Sequence, residues 1–409
     1  MSDRNAFSFD EIVDRRDSNS LKWNAAKVLL TSSQAEATPL PMWLADMDFK
    51  APPPVLDALT DAVEHGVFGY PTGATKSYLE AVTRWQHTRF GWDVDPEWVL
   101  PVSGVITALK TIIQACSAPG DSVLIQPPVY VHFHNDVLIN GRHLARAPLK
   151  FDGKRYEFDA AAFKAAVRED TKLFILSNPH NPTGNVWTAD ELRTMGEICF
   201  EHGVLVISDE IHQDFVLNPE KRHIPFASLG PQFASNSITC ASASKTFNLA
   251  GLQCANMFIP NPRLRSEIGR QIDRNLMNKV NVLGMVATEA AYAQGESWLE
   301  ALLAYVRANH RHFADQVNTS GLGLNVLDME SLYLAWIDCR SLAKSGDLDD
   351  ALLKQGRVWF DKGLKFGVEG EGFVRANLGC PRSVVDEAIQ RLRYGLAGKS
   401  GGVHRLSSV

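Results

Sequence analysis

The sequence predicts an α/β protein: a large domain with a mostly parallel sheet between helices, and a smaller α+β domain beside it. Three observations carry this. From about Pro52 to Pro260, helix-like and strand-like stretches alternate, the pattern of parallel strands joined through helices. The strand-like runs are too short for helices and too apolar for an exposed edge. Finally, 409 residues with 45% hydrophobic content exceed the roughly 250–300 residues at which one core usually gives way to two.

The strands can be named. Ser122-Val123-Leu124-Ile125, Leu173-Phe174-Ile175-Leu176, Val204-Leu205-Val206-Ile207 and Ser237-Ile238-Thr239 each lead into a polar or glycine-bearing loop. In open α/β sheets ligands bind outside the carboxyl ends of the strands, so these loops are where chemistry is expected. Beyond about residue 280 the pattern changes to long helical stretches and then short alternating segments such as Leu332-Tyr333-Leu334-Ala335-Trp336-Ile337. The expected division is a large domain over 46–285 and a small one built from both chain ends, 1–45 and 286–409. The tail from Gly398 to Val409 is glycine- and serine-rich and is expected to fray. There is no internal repeat.

A net charge of −6, from 41 basic and 47 acidic residues, comes with no basic stripe suited to a phosphate backbone, which argues against nucleic acid as a partner. Six scattered cysteines form no Cys-x-x-Cys pair and no zinc spacing with histidines, so they read as reduced, and no metal is expected. The opening Met1-Ser2-Asp3-Arg4-Asn5 leads into an acidic and basic stretch rather than an apolar run, and no apolar run elsewhere approaches ~18 residues. The expectation is a cytoplasmic protein with no membrane partner.

Three stretches carry chemistry. Ser242-Ala243-Ser244-Lys245-Thr246-Phe247-Asn248-Leu249-Ala250-Gly251 places a lysine among hydroxyls directly after a strand. A lysine amine attacks carbonyls once burial or a neighbouring cation lowers its pKa. The same lysine also suits a solvent-facing helix start. Asn178-Pro179-His180-Asn181-Pro182-Thr183-Gly184 follows another strand and forms a rigid turn able to aim amide side chains across the sheet edge, or simply a turn. Ser208-Asp209-Glu210-Ile211-His212 ends a third strand. A buried carboxylate there would hold a proton on a pyridine nitrogen, while a strand-end Asp also serves as a helix cap.

Together, in order and spacing, these stretches resemble the fold-type I enzymes dependent on pyridoxal 5′-phosphate (PLP), the aminotransferase-like superfamily, over essentially the whole chain. The resemblance implies that Lys245 holds the cofactor covalently, Asp209 pairs with its pyridine nitrogen and Asn181 bonds its phenolic oxygen. Phosphate would rest on the backbone of Gly104, Val105 and Ile106 at a helix start, with Ser242 and Ser244 beside it. Tyr130 would stack on the ring; a core tyrosine is the other reading. Arg375, in Phe373-Val374-Arg375-Ala376-Asn377, would clamp the substrate α-carboxylate through a guanidinium fork; a surface ion pair is its alternative.

Met42-Trp43-Leu44-Ala45-Asp46-Met47-Asp48-Phe49 and Gly69-Tyr70-Pro71 resemble the signature of the cystathionine β-lyase and cystalysin-type C–S lyases. So do Asp14-Arg15-Arg16 and Ser20-Leu21-Lys22-Trp23. Gln253 stands where many aminotransferases carry a phosphate-binding arginine, and His212 where many carry a tyrosine, and both replacements are similar to that subgroup. The subgroup places Trp43 and Ala45 beside the substrate. It also has Tyr70 reach the cofactor phosphate of a neighbouring subunit, implying a homodimer; a turn tyrosine packed on its own chain is the alternative. The expected activity is α,β-elimination of an S-substituted amino acid, with Lys245 also acting as base at Cα. A PLP aminotransferase is the nearest rival. A regulatory protein acting through a partner surface is the reading from another class, although no DNA-binding segment is appended.

Overall fold

The computed structural model describes residues 7–277, 279–344 and 346–397; the opening six residues and the tail from Gly398 lie outside them. The chain divides into two compact units. The first is built mainly from Lys50–Ala304, and Met329–Leu332 returns to it; the second takes Ser8–Phe49, Tyr305–Asp328 and the chain from Tyr333 onward. The sequence reading drew its lines at 46 and 285. The later switch follows from the helix Val282–Gln294, whose buried Ala287, Ala290 and Ala291 pack it on the helices Pro53–His65 and Lys76–Phe90 of the first unit.

In the first unit the main sheet consists of β1 (Val99–Val102), β2 (Ser122–Ile125), β3 (His143–Arg146), β4 (Thr171–Ser177), β5 (Leu205–Asp209), β6 (Ser237–Ala241) and β7 (Ala255–Phe258). The spatial order is β1-β7-β6-β5-β4-β2-β3. Strand β7 runs antiparallel to both neighbours, β1 and β6. The other pairs are parallel. Since β1 and β6 both oppose β7, six strands end at the same edge of the sheet.

Both faces of this sheet are covered, which is why its strands read as continuous apolar runs. Val123, Ile125, Leu173, Ile175, Leu205, Ile207, Ile238 and Cys240 share one core with α1 (Val105–Cys116), α2 (Val131–Ile139) and α3 (Pro262–Arg274). The residues between them, Leu124, Phe174, Leu176 and Val206, are just as buried and face the other way. On that side the helix Ala189–Glu201 packs against β5. Each such side chain contributes ~1.5–3 kcal/mol of burial.

Met329–Leu332 is tied to the first unit by main-chain bonds from Leu217 and Asn218 N–H to the Glu330 carbonyl and from Leu332 N–H to the Phe215 carbonyl. The Glu330 carboxylate takes Arg155 at 2.9 Å, Lys221 at 2.5 Å and the Val186 N–H at 2.8 Å. Gly184 meets this segment at φ 74°; a Cβ there would lie 2.4 Å from the Met329 methyl.

The second unit contains β8 (Asn325–Val326), β9 (Leu334–Asp338), β10 (Asp361–Lys362) and β11 (Phe373–Asn377), an antiparallel sheet in the order β8-β9-β11-β10. Its core joins Ala335, Ile337, Val374 and Ala376 to Phe313 and Val317 and to Ile389 and Leu392 of the helix Arg382–Leu396. The amino-terminal segment enters by pairing Leu40–Pro41 with Val358–Trp359. Among the described residues no helix is long and apolar enough to cross a membrane, and no cluster of His, Cys, Asp and Glu is placed to hold a metal.

Candidate active site

The common edge where six strands end gathers most of the residues singled out in the first unit. Register puts Asp209, the last residue of β5, level with Ser177 of β4 on one side and Cys240 of β6 on the other. Asn181 lies four residues beyond Ser177, and Lys245 five beyond Cys240. Three neighbouring strand ends therefore deliver a carboxyl, an amide and an amine.

Asp209 is 6% exposed. Its Oδ1 accepts the Ile211 N–H at 3.1 Å. Burial pushes the carboxyl from 3.8 up to about 7; the Ile211 bond opposes the rise, the charge on Glu210 adds to it, and Lys245 opposes it. Lys245 thus sits within electrostatic reach of Asp209. It is half-buried, on the single turn Ala243–Thr246. Ser242 caps that turn: its oxygen accepts the Ser244 N–H at 3.0 Å while its hydroxyl donates to the Cys254 carbonyl at 2.7 Å. The Ser242 proton is therefore already committed to backbone, so in this arrangement the hydroxyl has no hydrogen to offer an anion. Ser244 is half-buried.

Asn181 is 5% exposed, and its N–H donates to the Ser177 hydroxyl at 3.1 Å. The turn is closed by His180 N–H to the Asn185 carbonyl and Gly184 N–H to the His180 carbonyl. Both Asn-Pro bonds, and Pro127-Pro128, are cis. His212 is 4% exposed, three residues past Asp209. Tyr130 precedes α2 and is half-buried rather than core, with its ring 5.2 Å from that of His132.

Gly104 precedes α1 at φ 107°, a conformation that L side chains rarely adopt, and nothing lies within 4 Å of where a Cβ would stand. No side chain caps α1, so the N–H groups of Val105 and Ile106 have no partner in the helix ladder. Free donors and the helix dipole make this an anion site. Tyr70 lies in the turn after the helix Pro53–His65 and is 95% exposed. Packing on its own chain does not account for it.

In the second unit, Arg375 on β11 is 3% exposed and pairs with Asp361 at 2.9 Å. Its guanidinium lies over the Phe366 ring at 4.7 Å and reaches the Trp43 carbonyl at 3.4 Å. It is a buried arginine, not a surface ion pair. Trp43 stacks on Trp359 at 4.7 Å. The Ala45 carbonyl accepts the Tyr333 hydroxyl at 2.9 Å, and the Asn377 amide donates to the Leu44 and Asp46 carbonyls.

The amino-terminal signature residues brace the same segment. Arg15 bridges Asp46 at 2.5 Å and Asp48 at 2.8 Å, while Lys22, 1% exposed, ion-pairs Asp48 at 2.6 Å. Trp23 donates to Asp48, and Trp43 donates to the Lys22 carbonyl. Sequence reasoning found these residues by likeness; their ionic scaffold emerges only in the fold.

Sequence reasoning missed a buried pair behind Asp209. Glu210 and His223, whose side chains are 0% exposed, bond at 2.8 Å. Asp214 lies nearby in sequence, accepting the Thr246 hydroxyl at 2.7 Å and facing Arg89 at 3.7 Å. The signal for Glu210 was its place directly after Asp209 at the end of β5; its partner, 13 residues on, left none.

Comparison with known proteins agrees with this geometry. The chain is 39% identical to cystathionine beta-lyase PatB of Bacillus subtilis (strain 168) over 392 residues, 95% of this chain and 100% of that one. It is 34% identical to protein MalY of Escherichia coli (strain K12) over 389 residues, 94% and 98% of the two chains. Among solved structures, cystalysin from Treponema denticola, which contains a PLP cofactor, superposes with a TM-score of 0.89 at 30% identity, covering 95% of this chain and 98% of that one. The family described as aminotransferase class I and II matches residues 44–392. With the strand-end amine, acid and amide already in place on the matching fold, the chain belongs to the class I and II aminotransferase family.

Proposed function

We propose that this protein is a PLP-dependent carbon–sulfur β-lyase, converting cystathionine or a related S-substituted L-cysteine into pyruvate, ammonia and a thiol. The observation that carries the reading is Asp209, buried at the centre of three strand ends. Among the described residues it forms no ion pair, and the Lys245 amine only partly offsets the cost of its burial, so the acid still favours a cationic ligand. A protonated pyridine nitrogen is such a ligand. The uncapped start of α1 suits a phosphate, and Lys245 offers an amine for an aldehyde. The donor set fits PLP. Full-length likeness to cystathionine beta-lyase PatB and to cystalysin favours elimination over amino transfer.

Lys245 would hold the cofactor, Asp209 its ring nitrogen, Asn181 and His212 its phenolic oxygen, and Tyr130 its face. Gly104, Val105, Ile106, Ser242 and Ser244 would surround the phosphate. When bound, the group supplies an electron sink for negative charge formed at Cα. Arg375 holds the substrate α-carboxylate through its fork, kept in orientation by Asp361 and Phe366. Lys245, as the free amine, takes the Cα proton. Trp43 and Ala45 line the substrate, on a segment braced by Lys22, Arg15 and Asn377.

The same reading makes the protein a two-fold dimer, in which each chain lends Tyr70 to its partner's phosphate. Val63, Val67 and Phe68, all exposed, flank Tyr70 with apolar surface. Six free thiols suit a reducing compartment, and the cytoplasm is the proposed location.

Incubating purified holoprotein with cystathionine and measuring pyruvate tests the activity. Brisk amino transfer to an oxoacid, with no pyruvate from any S-substituted cysteine, would overturn it in favour of an aminotransferase.

A further inference from the structure

Strands β5 and β6 pair as far as Asp209 and Cys240, and the Glu210 N–H still reaches the Cys240 carbonyl at 2.8 Å. Beyond that point the two chains part. One becomes the turn Ile211–Asp214, held by the Gln213 N–H on the Glu210 carbonyl and the Phe215 N–H on the His212 carbonyl. The other becomes the single turn Ala243–Thr246, which carries Lys245. A side-chain bond joins them again: the Thr246 hydroxyl donates to Asp214 Oδ2 at 2.7 Å, across 32 residues of sequence. Both ends of this bond are buried, Thr246 at 0% exposed and Asp214 at 3%.

One helix braces both partners. Trp85 and Arg89 stand one turn apart on Lys76–Phe90 and so share a face. The Trp85 ring meets Phe247, the residue after Thr246, edge-on at 5.6 Å, while Arg89 Nε faces Asp214 Oδ1 at 3.7 Å. Arg89 is itself held over the Trp85 ring at 5.4 Å and paired with Glu296 and Glu300. At its start the Lys245 turn is fixed by Ser242, through the Ser244 N–H and the Cys254 carbonyl. Thr246 fixes its end. Successive residues of a helical turn point about 100° apart, so Thr246 can be anchored while Lys245 stays available for chemistry.

We propose that Thr246 and Asp214 are positioning residues, whose bond sets where the Lys245 amine stands when it takes the Cα proton. The inference rests on the role of Lys245 as base proposed above. A long flexible side chain delivers its nitrogen to one place only if the backbone beneath it is held. Proton removal needs the reacting atoms about 3–3.5 Å apart, and a displacement of about 1 Å can cost roughly 100-fold in rate. Substrate binding is less exposed to such a shift, because the α-carboxylate is assigned to Arg375, which this bond does not touch. Loosening the Lys245 turn should therefore slow the chemical step and spare affinity.

The test compares holoprotein of the wild type, of Thr246→Val, which keeps the side-chain shape and loses the donor, and of Thr246→Ser, which keeps the donor. Pyruvate release is followed with cystathionine and with cystathionine carrying deuterium at Cα. Thr246→Val is expected to lower kcat by about 10–100-fold, with KM and the visible absorbance of the bound cofactor close to those of the wild type. The isotope effect should grow, because proton removal becomes the slow step. Thr246→Ser should restore both kcat and the isotope effect. Wild-type kcat and isotope effect in Thr246→Val would overturn the proposal. So would a loss that falls on KM or on cofactor retention with the isotope effect unmoved, the mark of a merely structural bond. Thr246→Ala, smaller than the native side chain, covers a valine variant that does not fold, and the same pattern is expected of it. An aminotransferase would release no pyruvate but would still exchange the Cα hydrogen of L-alanine in deuterium oxide, and the same comparison then reads the exchange rate. A wild type that does neither overturns the role of Lys245 as base rather than the role of the bond.

Discussion

Replacing Asp209 by Asn should stabilise the apoprotein and weaken the holoprotein, and both effects follow from one buried carboxyl. Burial carries Asp209 from 3.8 up to about 7 in the fold. Below about pH 4 the carboxyl is protonated folded and unfolded alike, and it costs nothing. Between about pH 4 and 7 the unfolded chain gives up that proton readily and the folded one does not, so stability falls as pH rises. Above pH 7 the full cost is present. At 1.36 kcal/mol per pH unit, the displacement from 3.8 to about 7 corresponds to ~4 kcal/mol as an upper value. Asparagine keeps an acceptor for the Ile211 N–H and carries no charge to desolvate. Urea unfolding of cofactor-free protein should therefore show the variant more stable at pH 8, by up to ~4 kcal/mol, with the advantage gone at pH 4. Cofactor titration should show weaker PLP binding by the same variant. An apo variant with no gain at pH 8 over pH 4 would refute the view that Asp209 is kept, at a cost in stability, for a cationic ligand.

Lys245→Ala should remove the visible-edge absorbance of the bound cofactor while leaving noncovalent PLP uptake measurable by fluorescence; an unchanged chromophore would mean that another lysine carries it. Arg375→Lys keeps a cation opposite Asp361 but loses the fork, and should raise KM for the amino-acid substrate by about 10–100-fold with a smaller change in kcat; an unchanged KM would remove Arg375 from carboxylate binding. Sedimentation of the wild type should give twice the chain mass, and Tyr70→Ala should release cofactor more readily without dissociating the dimer, since one exposed side chain is a small part of such an interface. A monomeric wild type would exclude the shared site.

Much of the large sheet was legible because the information is local. The runs at Ser122, Leu173, Val204 and Ser237 became β2, β4, β5 and β6, each within two residues at either end, with Asp209 closing β5 and Asn181 and Lys245 a few residues beyond β4 and β6. Pairing is not local. Nothing near Ala255–Phe258 announces an antiparallel strand between β1 and β6, yet that strand is what brings Gly104 to the same edge as Lys245. Side-chain direction was equally hidden. Ser242 reads as one more hydroxyl for a phosphate, but its proton points to the Cys254 carbonyl across 12 residues. Glu210 stood in plain view beside Asp209, but no spacing rule connects it to His223, the buried ring it bonds.

The return of Met329–Leu332 to the first unit also constrains how the chain can be made. Neither unit is a continuous stretch of polypeptide, so a fragment ending at Ala304 lacks the Glu330 carboxylate that gathers Arg155, Lys221 and the Val186 amide. During synthesis that last piece emerges about 28 residues after the rest of its unit, a delay on the order of 1–6 s at ribosomal speed. For that interval Arg155 and Lys221 wait without their carboxylate. The molecule is thus suited to finishing its fold as a whole chain, and separate expression of either half would yield an incomplete one.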